Sequence, residues 1–171
     1  WAINASKMLA DYNVGWFEEA LRPDDLADFI ELRKQSPVPI SGCEVLTRRQ
    51  SFTPFITERA FDIIQPDVTK VGGIGEFRRI AAMADEYAIR VIPHGWNTAI
   101  GLAVDLQLSS AILTAEKVEY CTGSAYVDDL ATEPWKLDSD GLLEIPTKPG
   151  IGFELDPDKV EKYSGVRGFL D

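Results

Sequence analysis

Apolar residues along this chain fall into two alternating rhythms. Short runs rich in β-branched and aromatic side chains, GWFEEAL (15–21), VPISGCEV (38–45), FDIIQPDV (61–68), IRVIPHG (89–95) and VEYCTG (118–123), have the length and make-up of strands. Between them apolar positions recur at helical spacing. One set is Leu26, Phe29, Ile30 and the alkyl stem of Arg33; the next is Phe77, Ile80, Ala81, Ala84 and Tyr87; the last is Ile100, Val104, Leu108, Ala111 and Ile112. Start signals accompany them. Asp24 or Asp25 is placed to cap the first helix, Thr53 followed by Pro54 fits a cap with Pro at the first helical position, and Thr98 is placed to cap the last.

Alternation of this kind predicts an α/β fold in which parallel strands are joined by right-handed helical crossovers. From about Thr132 the rhythm stops, and Pro134, Asp138, Asp140, Gly141, Pro146, Pro149, Gly150 and Gly152 punctuate the chain. The expectation is a β/α domain over 1–131 and a loop-rich tail over 132–171 that packs outside the strand array.

Composition narrows the function classes. The chain has 171 residues, 45% of them hydrophobic and 26% charged, which suits one globular unit able to bury a core. Its formal net charge of -11, with no run of Lys or Arg, argues against nucleic acid and anionic membranes as partners. No apolar run approaches the roughly 20 residues of a membrane helix, and no basic region followed by an apolar one opens the chain, so a cytoplasmic location is expected. Cys43 and Cys121 are neither a CxxC pair nor dense enough for a disulfide framework and read as buried reduced thiols. The chain opens on Trp1 and runs straight into helix-like sequence, which reads as a cut within a longer polypeptide.

Candidate chemistry lies at the strand ends. Glu18, Glu44, Asp67, His94 and Glu119 recur once per β/α unit at a nearly constant interval. Taken alone, a single histidine such as His94 reads as structural, and any one acidic residue at a strand end reads as chance. Together they point elsewhere, because parallel β/α folds collect their chemistry at the carboxyl ends of the strands. Neighbouring carboxylates repel one another unless a cation stands between them, and a hard divalent ion such as Mg²⁺ resolves that repulsion. An Asp beside a His fixes the imidazole tautomer and raises its basicity. The Gly-rich KVGGIGE (70–76) invites a phosphate-loop reading but lacks the full GxGxxG and the lysine-hydroxyl pair; a tight strand-to-helix turn accounts for it, with Lys70 as a structural or pocket-edge cation.

WFEEAL, GCE, IIQPDVTKVGGIGE and VIPHG, in this order, resemble the C-terminal half of the enolase superfamily, and within it the mandelate racemase-like subgroup that contains many acid-sugar dehydratases. The resemblance covers nearly the whole chain up to the tail. It implies the C-terminal portion of a TIM-type (β/α) barrel and a site in which Glu18 and Glu44 ligate Mg²⁺. Glu19 is then a neighbour of the metal site, not a ligand. His94 and Asp67 become the dyad that moves a proton, and Glu119 the carboxylate that hydrogen-bonds the developing enolate. Trp96 is placed to line the substrate pocket.

The implied reaction removes the α-proton of a carboxylate substrate, an acid sugar, through an enediolate, leading to dehydration or racemisation. The family's first metal ligand, an Asp shortly before a Trp, and its second base, a Lys on an earlier strand, have no match here. Two smaller departures are Ala20, where relatives usually carry Pro, and Cys43, where a small residue is more usual. A part-barrel is expected to bind metal weakly, turn over little by itself and associate through its open edges as a homo-oligomer. Two other classes stay open: a non-catalytic interaction module, and a metal-dependent barrel hydrolase that would cleave esters or amides.

Overall fold

A computed structural model describes residues 1–164. Four parallel strands, β1 (Phe17–Glu18), β2 (Ile40–Gly42), β3 (Ile63–Ile64) and β4 (Arg90–Val91), lie side by side in chain order. Their register pairs Glu18 with Ser41, Gly42 with Ile64, and Ile64 with Val91. Helices α1 (Ala2–Leu9), α2 (Leu26–Gln35), α3 (Arg48–Thr57), α4 (Val68–Val71), α5 (Ile74–Glu86), α6 (Ala99–Ala111), α7 (Ala125–Asp128) and α8 (Pro157–Tyr163) surround and follow the sheet. The arrangement is the alternating α/β one that the apolar rhythm predicts. The ladder outruns the short strands: Glu19 N donates to Ser41 O at 3.1 Å, Gln65 N to Gly42 O at 2.8 Å, Ile92 N to Ile64 O at 3.1 Å and His94 N to Pro66 O at 3.2 Å.

The core forms where the helix stripes meet the sheet. Phe29 of α2, Phe52 of α3, Phe77 and Ile80 of α5, and Phe61 before β3 are fully buried against Ile40 and Ile64. Phe29 and Phe61 bring their ring centroids to 4.5 Å. Ile63 and Ile64 are both buried although they point to opposite faces, as parallel strands covered on both sides require. Arg33 of α2 donates to Asp62 Oδ1 at 2.9 Å while Asp62 Oδ2 accepts from Ile40 N at 3.0 Å, which ties the helix end to the sheet. The close approach of Phe61 leaves no room for a β-carbon at Gly42: one placed there would stand 2.8 Å from the ring.

Several expectations need correction. The run 118–123 is irregular and forms no strand; the bond from β4 on that side goes instead from Val91 N to Thr114 O at 3.2 Å. The side chains of Val118, Tyr120 and Cys121 pack on Leu102, Leu106 and Val127, a second small cluster that spends them outside the sheet. Thr53 does not cap α3, which starts behind Thr47 and carries Pro54 inside. Burial of Phe52, Phe55 and Ile56 holds that helix together across the missing Pro54 N–H, and the Thr53 hydroxyl donates to Arg49 O at 2.9 Å.

Asp25 occupies the N-cap of α2 but makes no capping bond, since its carboxylate accepts from Arg22 instead. Thr98 caps α6 as expected, its hydroxyl accepting from Gly101 N at 3.4 Å. KVGGIGE is a turn between two helices, because α4 intervenes after β3; Gly72 and Gly73, at φ of 111° and 85°, make that turn. Cys43 is buried, but Cys121 is partly exposed, and both thiols are free.

Beyond α6 the chain is sparsely paired. Ala131 bridges Leu155, Leu137 bridges Leu143, Trp135 stacks on Phe153 with centroids 5.8 Å apart, and Gln107 of α6 donates to Pro146 O at 2.6 Å. Positions 165–171 of the tail lie outside the described residues. No helix among the described residues is long and apolar enough to cross a membrane.

Candidate active site at the strand ends

The parallel ladder sets the geometry of the site. Because His94 N bonds Pro66 O, the residue after each of these strands stands beside its neighbour, and the side chains of His94 and Asp67 meet: Nδ1 of His94 lies 2.9 Å from Oδ2 of Asp67. Both residues are buried. Asp67 also caps α4, its Oδ1 accepting from Thr69 N at 2.8 Å and from the Thr69 hydroxyl at 2.6 Å, and Lys70 Nζ stands 3.4 Å from Oδ2. With the Asp67 carboxylate saturated by donors, its orientation is fixed, and so is that of the imidazole it holds.

The other imidazole nitrogen, Nε2, faces two carboxylates. Glu44 Oε2 lies 3.4 Å away and Glu119 Oε2 3.9 Å away. Glu119 reaches this place from an irregular segment, not a strand, anchored by Gly95 N donating to Oε2 at 2.7 Å. Gly95 is required there, since a β-carbon would fall 2.0 Å from the Glu119 carbonyl oxygen. Glu18 stands apart from the imidazole and accepts from Trp16 Nε1 at 2.8 Å and Gln65 Nε2 at 2.9 Å. The structure thus gathers Glu44, Asp67, His94 and Glu119 around one ring and leaves Glu18 beside the group. Trp96, two residues beyond His94, is 72% exposed.

Charge follows the contacts. The hydrogen bond to Asp67 raises the His94 imidazole above its ordinary value, against burial and Lys70, with Glu44 and Glu119 adding to the rise. Burial alone would push the Asp67 carboxyl up, but the bonds from His94 and Thr69 and the charge of Lys70 prevail and hold it at about 2. The pair is therefore a carboxylate with a basic imidazole.

Two groups near the site escape a reading based on strand ends. Glu19 is more than a neighbour of Glu18: its Oε1 accepts from Cys43 N at 3.2 Å, which ties the loop after β1 to the loop that carries Glu44. Burial first, then Glu44, raises its carboxyl. Glu19 and Cys43 both hold positive φ, 41° and 83°, so the backbone is strained where these loops leave the sheet. The doubled EE was the available signal. The second group is Asp105 of α6, fully buried with both carboxyl oxygens unpartnered. A carboxylate on the face shared by Gly101, Leu108 and Ile112 was its signal, masked because helical periodicity is counted on apolar residues.

Glu18 and Glu44 are hard oxygen donors at neighbouring strand ends, the donor type that Mg²⁺ takes. They fit the ion in kind and fall short in number. Among the described residues no group of three or more His, Cys, Asp or Glu side chains is arranged to hold a metal. If Glu18 and Glu44 both held such an ion, they would supply only two of the roughly six oxygens it needs.

Comparison with known proteins places this geometry. The family model of the enolase C-terminal domain-like proteins matches residues 1–159. D-xylonate dehydratase of Haloferax volcanii is 37% identical over 157 residues, covering 91% of this chain and 38% of that protein. The 3,6-anhydro-D-galactonate cycloisomerase of Zobellia galactanivorans superposes with a TM-score of 0.86 at 33% identity, over 95% of this chain and 46% of that one. An enolase from Agrobacterium radiobacter, solved with bound sodium and L-malate, gives a TM-score of 0.87 at 31% identity, over 94% and 44%. The chain spans less than half the length of each of these proteins, on their C-terminal, barrel-forming side.

Proposed function

The chain belongs to the enolase C-terminal domain-like family, in its mandelate racemase-like branch, and from that premise we propose that its strand-end site serves abstraction of the α-proton of an acid-sugar carboxylate, with dehydration or racemisation as the outcome. The observation that carries the reading is the buried His94–Asp67 pair at 2.9 Å, with Nε2 open toward two further carboxylates. Asp67 holds the Nδ1–H tautomer, so Nε2 is the atom that accepts the α-proton or returns one to a leaving β-hydroxyl. Glu119 faces the same opening and is placed to share a hydrogen bond with the developing enolate. Glu18 and Glu44 would hold Mg²⁺. When bound, that ion would polarise the substrate carboxylate and lower the cost of the charge that builds there.

The relatives, enzymes of xylonate and anhydrogalactonate and an enolase holding malate, support a small hydroxy-acid as the substrate class. Because this chain contributes two metal ligands, the reaction is proposed for the whole protein, and the 171-residue chain by itself is expected to bind metal weakly and turn over little. The experiment is ¹H NMR of a panel of acid sugars in D₂O with Mg²⁺ and the whole protein of which this chain is part. Exchange of the α-proton or dehydration, reduced 10²-fold or more in His94→Asn, is expected. Exchange that survives His94→Asn, or cleavage of esters or amides in its place, overturns the reading.

A further inference from the structure

Asp105 is a carboxyl group enclosed in the protein with no formed hydrogen bond to either oxygen. Native structures rarely leave a buried polar group in that state without a role. It lies on α6, one turn beyond Gly101, and the polar side chain that faces it is Asn97.

Asn97 is placed by three contacts. Its Oδ1 accepts from Thr98 N at 2.6 Å, its Nδ2 reaches the His94 carbonyl at 3.5 Å, and its amide lies flat on Gly101, where a β-carbon would stand 2.1 Å from Oδ1. Nδ2 is the one Asn97 atom with a hydrogen to offer the neighbouring Asp105 carboxyl.

We propose that Asp105 is a positioning residue for the His94 loop, acting through Asn97, whose amide it backs across Gly101. The loop in question, 94–98, carries the imidazole at one end and the cap of α6 at the other, so a carboxyl behind Asn97 sets how far the His94 backbone stands from the helix. Asp67, His94 and Glu119 are the charged groups around Asp105, and burial, with Asp67 next, pushes its carboxyl up to about 8. At neutral pH it is thus an uncharged acid whose carbonyl oxygen is free to accept from Nδ2. The proposal rests on the reading of His94 as the proton-moving group for its purpose alone; its test reads the order of the loop, so the two can fail separately.

The test compares amide hydrogen exchange at Gly95, Trp96, Asn97 and Thr98, together with thermal unfolding, in the full chain and in Asp105→Leu, Asp105→Asn and Asn97→Ala. Asp105→Leu removes an unpartnered polar group at similar volume, so a merely structural role predicts an unchanged or higher Tm and unchanged exchange. The proposal expects the Tm to hold or rise while exchange in the loop nonetheless speeds about tenfold, protection to return in Asp105→Asn, and Asn97→Ala to match Asp105→Leu in loop exchange with no further change when the two are combined. Unchanged exchange in Asp105→Leu, or an acceleration that Asp105→Asn shares, overturns it. Should Asp105→Leu fail to fold, Asn97→Ala decides: loop exchange equal to that of the parent chain overturns the proposal.

Discussion

Residues 1–111 and 112–164 are held by different means. In the first region the strand ladder, the crossover helices and the aromatic cluster of Phe29, Phe52, Phe61 and Phe77 enclose one another, and these side chains have essentially no exposure. In the second, two isolated bridges and a small cluster around Val127 take the place of a core, while Leu113 is 97% and Leu142 62% exposed. The candidate site straddles the two. Glu44, Asp67 and His94 follow the strand ends of the ladder, and Glu119 is brought to them by its bond to Gly95 N. A site assembled this way has a firmly packed half that fixes the His94–Asp67 pair and a lightly held half that supplies one carboxylate.

The widest gap between the regions is expected in core truncation. Phe77→Ala should lower unfolding free energy by about 3–5 kcal/mol, because a buried ring leaves a cavity the helices cannot close. Leu142→Ala should change it by less than about 0.5 kcal/mol. Urea denaturation of both variants checks this, and equal losses would abolish the distinction drawn between the two regions.

Helix α6 is where the regions meet, and Asp105 sharpens the comparison through pH. Its folded pKa, about 8, stands above the unfolded 3.8, so the folded state binds the extra proton and stability falls as pH rises between those values. Asp105→Leu should therefore match the parent chain near pH 4 and exceed it at pH 7 by roughly 1–4 kcal/mol. Parallel stability curves for the two proteins from pH 4 to pH 8 would remove the case for a buried neutral acid.

Gly95→Ala probes the seam directly. The added β-carbon collides with the Glu119 backbone, and relieving the collision should cost about 1–3 kcal/mol while moving Glu119 away from Nε2. The expected signature is a shift of resonances around Glu119 and Tyr120 with the β1–β3 signals in place. Spread of the change through the sheet would mean that the second region is as firmly held as the first.

What was legible in the chain follows the same division. A β/α repeat places one residue per unit at one mouth, so Glu44, Asp67 and His94 could be read from spacing before any coordinates. The fifth strand was misread because VEYCTG has strand composition, while its side chains are spent on Leu102, Leu106 and Val127. Thr53–Pro54 was misread because a local capping rule competes with burial of Phe52, Phe55 and Ile56, and burial wins. Glu19 and Asp105 were missed since their roles depend on groups 24 and 8 positions away, Cys43 and Asn97, that no periodicity links.

The finest test of the firmly packed half uses the fact that His94 is the one histidine of the chain, so its imidazole resonance needs no assignment. The folded imidazole should titrate above 6.5, raised by its bond to Asp67. A group raised in this way stabilises the fold fully below its unfolded pKa and loses that contribution as pH climbs through the folded value. The stabilising window is therefore the acidic side of neutrality. In Asp67→Asn the bond to a carboxylate is gone while burial remains, so the midpoint should drop toward or below 6.5 and the stability advantage of the parent chain over the variant should shrink as pH rises. Glu119→Gln should move the midpoint less than Asp67→Asn does, since Glu119 stands at 3.9 Å against 2.9 Å for Asp67. A midpoint unmoved by Asp67→Asn, or moved more by Glu119→Gln, would place control of the imidazole in the lightly held half and invert the comparison.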